Sequence, residues 1–388
     1  MQLIEVTTPE LANDFLMVPV KLYKKDPNFI RPLDKDVENV FDPKKNKLLR
    51  DGKAIRWILR DSKGNLIGRI AAFINKLTAN TYEQPTGGMG FFDCINDQEA
   101  ANLLFDASKS WLQERGMEAM DGPINLGDRD RWWGVLIDGY YPPTYCMNYN
   151  YSYYQQLLEN YGFQIFFKQY TYYRAVKEPL SAEYHEKADR ILRDPNFSFR
   201  HMDKKHIEKY TEDFRIVYNK AWTKHEGVKG MSEAQAKLIM KTLNPIIDER
   251  IMWFAYHQDE PIGFFLAIPE LNQLFKYVNG KMDLWGKLKF VFNRWRGACT
   301  TMYGIVFGIT PEFQGKGVEA AMITAEGKLV IDDPSIKYTD LQMNWIGDFN
   351  PKMMKVAEQI GSRIYKTHAT YRFLFDRNKE FKRMPIIR

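Results

Sequence analysis

Between Met302 and Glu319 the chain carries residue types at a spacing that points to anion binding. An apolar, β-rich run, Met302-Tyr303-Gly304-Ile305-Val306-Phe307-Gly308-Ile309, empties into Thr310-Pro311-Glu312-Phe313-Gln314-Gly315-Lys316-Gly317-Val318-Glu319. Val318, Ala321, Met322, Ala325 and Leu329 then recur at helical spacing. In such a strand–turn–helix unit the unpaired N–H groups of the first helical turn converge, and the helix dipole adds partial positive charge. Glycines let a phosphate approach the backbone with no Cβ in the way, and Lys316 adds a point charge. Three readings follow from the residues. A Walker loop needs Gly-Lys-Ser/Thr after four intervening residues, and that spacing is absent. A dinucleotide fingerprint tolerates Ala320 at its third glycine, but it opens a βαβ unit near a domain start. The third reading is a strand-to-helix turn with no ligand.

The run Pro311-Glu312-Phe313-Gln314-Gly315-Lys316-Gly317-Val318 is similar to the acyl-CoA-binding motif of the GNAT acyltransferases, Gln/Arg-x-x-Gly-x-Gly/Ala. Gln314 and Gly317 match. Glu319 departs from the pattern, so its carboxylate is expected to point away from a bound pyrophosphate. The order of elements over residues 196–376 also resembles that family: strand, two helices, hairpin, central strand, loop and helix, strand, helix, strand. The resemblance implies acetyl-CoA or a longer acyl-CoA as cosubstrate, with an amine attacking the thioester directly. It places the backbone of Phe307, Gly308 and Ile309 beside pantetheine, where a fixed N–H polarises the thioester carbonyl. Gln314, Gly315, Lys316, Gly317 and Val318 would hold the pyrophosphate. Asn350, followed by Pro351, reads as a helix N-cap, and the resemblance also turns it toward CoA. The tyrosine acid common in the family is replaced by Ala357; Tyr365 and Tyr371 substitute by type, and Tyr371 is the candidate carried forward. His225 and Glu226, in the stretch Trp222–Gly227, are candidate bases by location.

The elements that would position these residues occur twice. Asp61-Ser62-Lys63-Gly64-Asn65 joins two β-rich runs, and Gln258-Asp259-Glu260 joins a second pair. Gly68 and Gly263, Gly162 and Gly361, and Arg174 and Arg372 recur at offsets of 195, 199 and 198 residues. This predicts an α+β protein of two tandem GNAT-like domains, each a mixed central sheet flanked by helices. The expected division is 1–176, a linker helix in 177–195, and 196–388. In the first copy the loop position reads Met89-Gly90-Phe91-Phe92-Asp93-Cys94-Ile95-Asn96-Asp97-Gln98-Glu99, without the glycine motif and with three carboxylates opposing a phosphate. Only the second copy is expected to bind acyl-CoA. The first has an aromatic segment, 121–151, that reads either as a cleft lining or as a packing surface.

The 388 residues carry a net charge of +6, too little for a nucleic-acid footprint if spread evenly. It is not spread evenly. Residues 271–297 hold Lys276, Lys281, Lys287, Lys289, Arg294 and Arg296 against Asp283, interleaved with aromatics. This segment reads as a peripheral membrane contact, a lid over an acyl chain, or a helix packed on the sheet. Three scattered cysteines and six histidines without ligand spacing argue against disulfides and metal. With neither a leader pattern nor a spanning apolar run, a cytoplasmic location is expected. The expected function is acyl-CoA-dependent N-acylation of a small-molecule or peptide amine, with no nucleic-acid partner. The alternatives are a non-catalytic acyl-CoA-binding scaffold and an aminoacyl-transferring relative of the peptidoglycan-building enzymes.

Overall fold

The computed structural model of the protein describes residues 1–222 and 230–387, the Trp222 side chain excepted. The first half runs β1 (Gln2–Glu5), α1 (Pro9–Leu22), α2 (Asp34–Phe41), β2 (Lys53–Arg60), β3 (Leu66–Ile74), β4 (Thr86–Cys94), α3 (Gln98–Gln113), β5 (Ala119–Gly122), β6 (Val135–Asp138), α4 (Tyr153–Tyr161) and β7 (Gln164–Ala175). Helix α5 (Ala182–Leu192) bridges the halves. The second half runs β8 (Phe197–His201), α6 (Ile207–Trp222), α7 (Glu233–Leu243), β9 (Met252–His257), β10 (Glu260–Pro269), α8 (Asn272–Phe275) and α9 (Leu284–Trp295). It continues with β11 (Thr301–Ile309), α10 (Val318–Asp332), β12 (Asp340–Gly347), α11 (Pro351–Gln359) and β13 (Arg363–Leu374).

Both expected hairpins form, for local reasons. The Asp61 carboxylate accepts from the N–H of Lys63 and of Asn65 at 2.8 and 2.9 Å, closing the β2–β3 turn. In the β9–β10 turn Gln258 and Asp259 both take positive φ, as a two-residue hairpin connection requires. Side chains alternate between the faces of the sheet. Ile58 and Phe73 pack with Phe15 and Val18 of α1. Leu59 and Ile70 pack with Leu104 and Phe105 of α3. In the second half α5 and α10 cover one face through Tyr184, Ala188, Val318 and Met322. Helices α6 and α7 cover the other through Phe214, Val217 and Met240.

The sheet itself does not divide where the helices do. Its order is β1-β2-β3-β4-β5-β13-β7-β12-β11-β10-β9-β8, with β6 also on β13. The last long strand of each half is exchanged: β13 pairs with β5, β6 and β7, while β7 pairs with β12. The fold class expected from the repeat is present, two tandem mixed-sheet units, but they share one continuous sheet. The segments 1–176 and 196–388 therefore each lack a strand that the other supplies.

Candidate active site

Strands β11 and β12 run parallel and pair only from Thr301–Asp340 to Gly304–Met343. Beyond that point residues 305–309 stay on β10 while residues 344–347 follow β7, and the two strands part. The divergence begins at a bulge, where Leu266 faces Val306 and Ala267 faces Gly304, so Ile305 is the extra residue. Ile305 is 38% exposed although it sits in a central strand, because the wedge beside it is open. Among the described residues no strand covers the β11 edge from 305 to 309, so its backbone groups face the wedge unpaired by any strand.

The loop beyond β11 holds a helix N-terminus at the mouth of this wedge. Thr310 is buried and its N–H donates to Ile262 at 2.8 Å, anchoring the turn to β10. Gln314 Nε2 donates to the Ile309 carbonyl at 2.9 Å, bracing the loop from inside. Gly317, the N-cap of α10, has φ +96° and lies so close to α5 that a Cβ would stand 3.0 Å from the Lys187 carbonyl oxygen. An L side chain would be strained there twice over, by conformation and by contact. With glycine as N-cap, no side chain caps the first turn, and its N–H groups are left for an anion. Lys316 stands over the Phe313 ring. Arg190 of α5 donates to the Lys316 carbonyl at 2.9 Å, bringing a second cation to the loop. Burial, and next the Glu319 charge, push up the pKa of Tyr184 on α5, so the departing carboxylate of the motif lies near the bridging helix.

The other side of the wedge is built by the first half. Trp345 Nε1 donates to the Arg129 carbonyl at 2.7 Å, and Asn344 Nδ2 donates to Thr144 Oγ1 at 2.7 Å. The Tyr145 N–H donates to Glu270 Oε1 at 2.8 Å. The aromatic segment 121–151 is therefore seated on β12 and on the end of β10. Asp130 reaches solvent, yet the surrounding protein raises its carboxyl above the ordinary range, with the nearby Arg131 opposing. Burial, and next the Asp130 charge, raise the pKa of Tyr303, with Asn344 opposing. Asp130 and Asn344 thus lie near Tyr303, where β11 and β12 begin to part.

The expected residues fall as follows. Phe307 is half-buried against Phe265, Gly308 and Ile309 are buried on the wedge strand, and Gln314, Gly315, Lys316, Gly317 and Val318 form the loop. Asn350 caps α11 by accepting from the Met353 N–H at 3.3 Å, on the far arm of the wedge. His225 and Glu226 lie outside the described residues. Tyr371 is not at this site: it is fully buried in the first-half core, and its hydroxyl donates to Glu159 at 3.0 Å. The exchange of β13 carried it there. Asp130, Tyr303 and Arg190 were not singled out from sequence. The Asp128-Arg129-Asp130-Arg131 run was a visible signal, but nothing local tied it to a loop some 180 residues on.

The equivalent place in the first half is closed. Strands β4 and β5 also pair over three residues and then part, but the chain fills the gap itself. The Ile124 N–H donates to the Met89 carbonyl at 2.7 Å, and a Cβ on Gly90 would lie 1.6 Å from the Ile124 oxygen. The N-cap of α3 is Asp97, whose carboxylate takes the Ala100 N–H at 3.0 Å and occupies the anion's place.

No family model matches the chain. It is 26% identical over 381 residues to the bacterial ceramide synthase of Caulobacter vibrioides (strain NA1000 / CB15N), covering 96% of this chain and 97% of that one. Among solved structures, a tandem GNAT protein from the clavulanic acid biosynthesis pathway superposes over 97% of this chain and 99% of its own, with TM-score 0.52 and 9% identity. A GCN5-related glucosamine N-acetyltransferase region of a fungal multi-domain β-N-acetylglucosaminidase superposes with TM-score 0.55 and 11% identity, covering 96% of this chain. This chain spans 38% of that larger one. The chain has the GNAT fold in tandem, and the comparisons support acyl transfer as the general chemistry.

Proposed function

We propose that the chain is an acyl-CoA-dependent N-acyltransferase whose acceptor is a long-chain amine. The observation that carries the acyl-CoA part is the pairing of an open β11–β12 wedge with an uncapped α10 N-terminus. The loop N–H groups, Lys316 and Arg190 suit a pyrophosphate, and the unpaired β11 edge suits the amide groups of pantetheine. The acceptor class is supported by the likeness to a protein named as a ceramide synthase, since a ceramide is the amide of a long-chain amino alcohol.

In this reading the neutral amine nitrogen attacks the thioester carbonyl carbon. A C–N bond forms as the C–S bond breaks, and CoA leaves as the thiol after taking up a proton. A backbone N–H of residues 307–309 stabilises the oxyanion. Asp130, with its raised pKa, takes the proton from the incoming ammonium. Burial keeps Tyr303 protonated, so its hydroxyl is available as a donor beside the wedge. The first half, closed to acyl-CoA itself, then contributes the base.

The test is calorimetric titration with acetyl- and palmitoyl-CoA, followed by thiol release over a panel of short and long-chain amines. Acyl-CoA binding with thiol release on long-chain amines supports the proposal. Absence of acyl-CoA affinity removes it. One observation favours a non-catalytic binder: the position of the family's tyrosine acid is Ala357, which is buried. Acyl-CoA binding without thiol release on any amine would establish that second reading.

A further inference from the structure

Helix α9 presents a face that the described residues leave uncovered. Leu284, Trp285, Leu288, Val291, Phe292 and Trp295 are each more than half exposed, from 52% at Leu288 to 81% at Trp295. At about 100° per residue they lie within an arc of about 120° on one side of the helix. Gly286, Phe290 and Asn293 lie on the opposite side and hold the helix to the protein. A Cβ on Gly286 would collide with the Lys281 carbonyl, and the Phe290 ring packs on Phe275 in a tilted pair with centroids 5.4 Å apart. Both ends are fixed: the Asp283 carboxylate caps the N-terminus by accepting from the Gly286 N–H at 2.8 Å, and Arg294 donates to the Pro245 carbonyl at 2.8 Å. The exposed face therefore belongs to a helix locked in its orientation.

The charges settle what would cover it. Lys287 and Arg294 border the apolar arc on one side, and Lys289 and Arg296 border it on the other, all four exposed. Within α9 no acid accompanies them; the acid nearest in sequence, Asp283, is the N-cap. Two tryptophans within an apolar stripe, flanked by cations at the height of the helix axis, match the profile of a helix lying in the plane of an anionic bilayer surface. No helix among the described residues is long and apolar enough to cross a membrane.

We infer that α9 is an in-plane membrane anchor that docks the protein on anionic phospholipid. The apolar stripe enters the boundary between headgroups and acyl chains, Lys287 and Lys289 meet lipid phosphates, and Arg294 and Arg296, held by the fold, add to the positive field. A short connection, residues 296–300, leads from the anchor into β11, so docking would bring the wedge strand near the lipid surface. Vesicle binding requires no acyl transfer, so this inference stands or falls apart from the proposed reaction.

The test is co-sedimentation of the full chain with vesicles of phosphatidylcholine alone and of phosphatidylcholine mixed with phosphatidylglycerol, with hydrogen exchange followed across 284–295. Binding to the mixed vesicles, weakened by salt and accompanied by slowed exchange in α9, is expected. The double variant Trp285→Ser, Trp295→Ser should bind about tenfold more weakly. Each of Lys287→Gln and Lys289→Gln should cost roughly fivefold. Because these side chains are exposed, circular dichroism should show the variants folded; the exchange measurement on the unmutated chain gives the answer independently. Failure to bind the mixed vesicles, or binding with unchanged exchange in α9, overturns the inference. So does protection of α9 that appears without lipid as protein concentration rises, which would assign the face to a second copy of the chain.

Discussion

The Arg372 guanidinium donates to both carboxylate oxygens of Asp121 at 2.6 and 2.8 Å, joining the last strand of the chain to a short strand of its first half. Both side chains are about nine-tenths buried, and Arg372 also stacks on Phe166 at 3.6 Å. The pair sits at the exchange that makes one sheet out of two repeats. Removing one partner leaves an uncompensated buried charge, so Arg372→Ala should destabilise the protein by about 3–5 kcal/mol, read by urea denaturation. A chain ending after residue 176 loses β13 from between β5 and β7 and should be insoluble when expressed alone.

The loop prediction rests on Gly317. Gly317→Val forces a side chain into positive φ and against the Lys187 carbonyl, displacing the α10 N-terminus from α5. Acyl-CoA affinity should fall about tenfold or more while the circular dichroism spectrum is retained. Arg190→Ala, at an exposed position on α5, should weaken acyl-CoA binding by roughly fivefold without changing the melting temperature. Calorimetry checks both.

If Asp130 takes the amine proton, Asp130→Asn should lower kcat by about 10²-fold or more and leave acyl-CoA affinity unchanged. Asp130→Glu should restore part of the rate. A rise in KM alone, with kcat intact, would assign Asp130 to acceptor binding.

His368 predicts an acid sensitivity. It is buried on β13, with Nε2 3.0 Å from the Asn148 carbonyl, and burial, aided by the Lys366 charge, lowers its pKa from 6.5 to about 4. The neutral ring in the fold then contributes stability that is fully present above pH 6.5 and lost as the pH falls toward 4. The loss is about 3 kcal/mol at most. Denaturation midpoints should therefore drop across that window, and His368→Gln should flatten the drop.

The glycine-loop motif, the duplicated hairpins and the amphipathic insertion were legible because each is written in spacing along a few turns or one strand. The glycines of the loop lie at φ +70° and +96°, conformations that the residue type announces. The cationic insertion showed itself through lysines and arginines interleaved with aromatics. Tyr371 shows where this reading stops. A strand buried along most of its length, as β13 is, has the same pattern whichever sheet it enters, since backbone edges carry no side-chain label. The helix bridging the halves likewise showed itself only as a linker, although it forms one wall of the glycine loop.

The sequence by itself determined the repeat, the loop and the amphipathic helix, because hydrogen bonding and hydrophobic periodicity act between near neighbours in the chain. Only the tertiary structure decided that the halves exchange their last strands, that the first half's wedge is filled at Ile124, and that Asp130 lies near Tyr303. Those contacts join segments more than a hundred residues apart or depend on which strand edges remain free, and short-range spacing does not encode either.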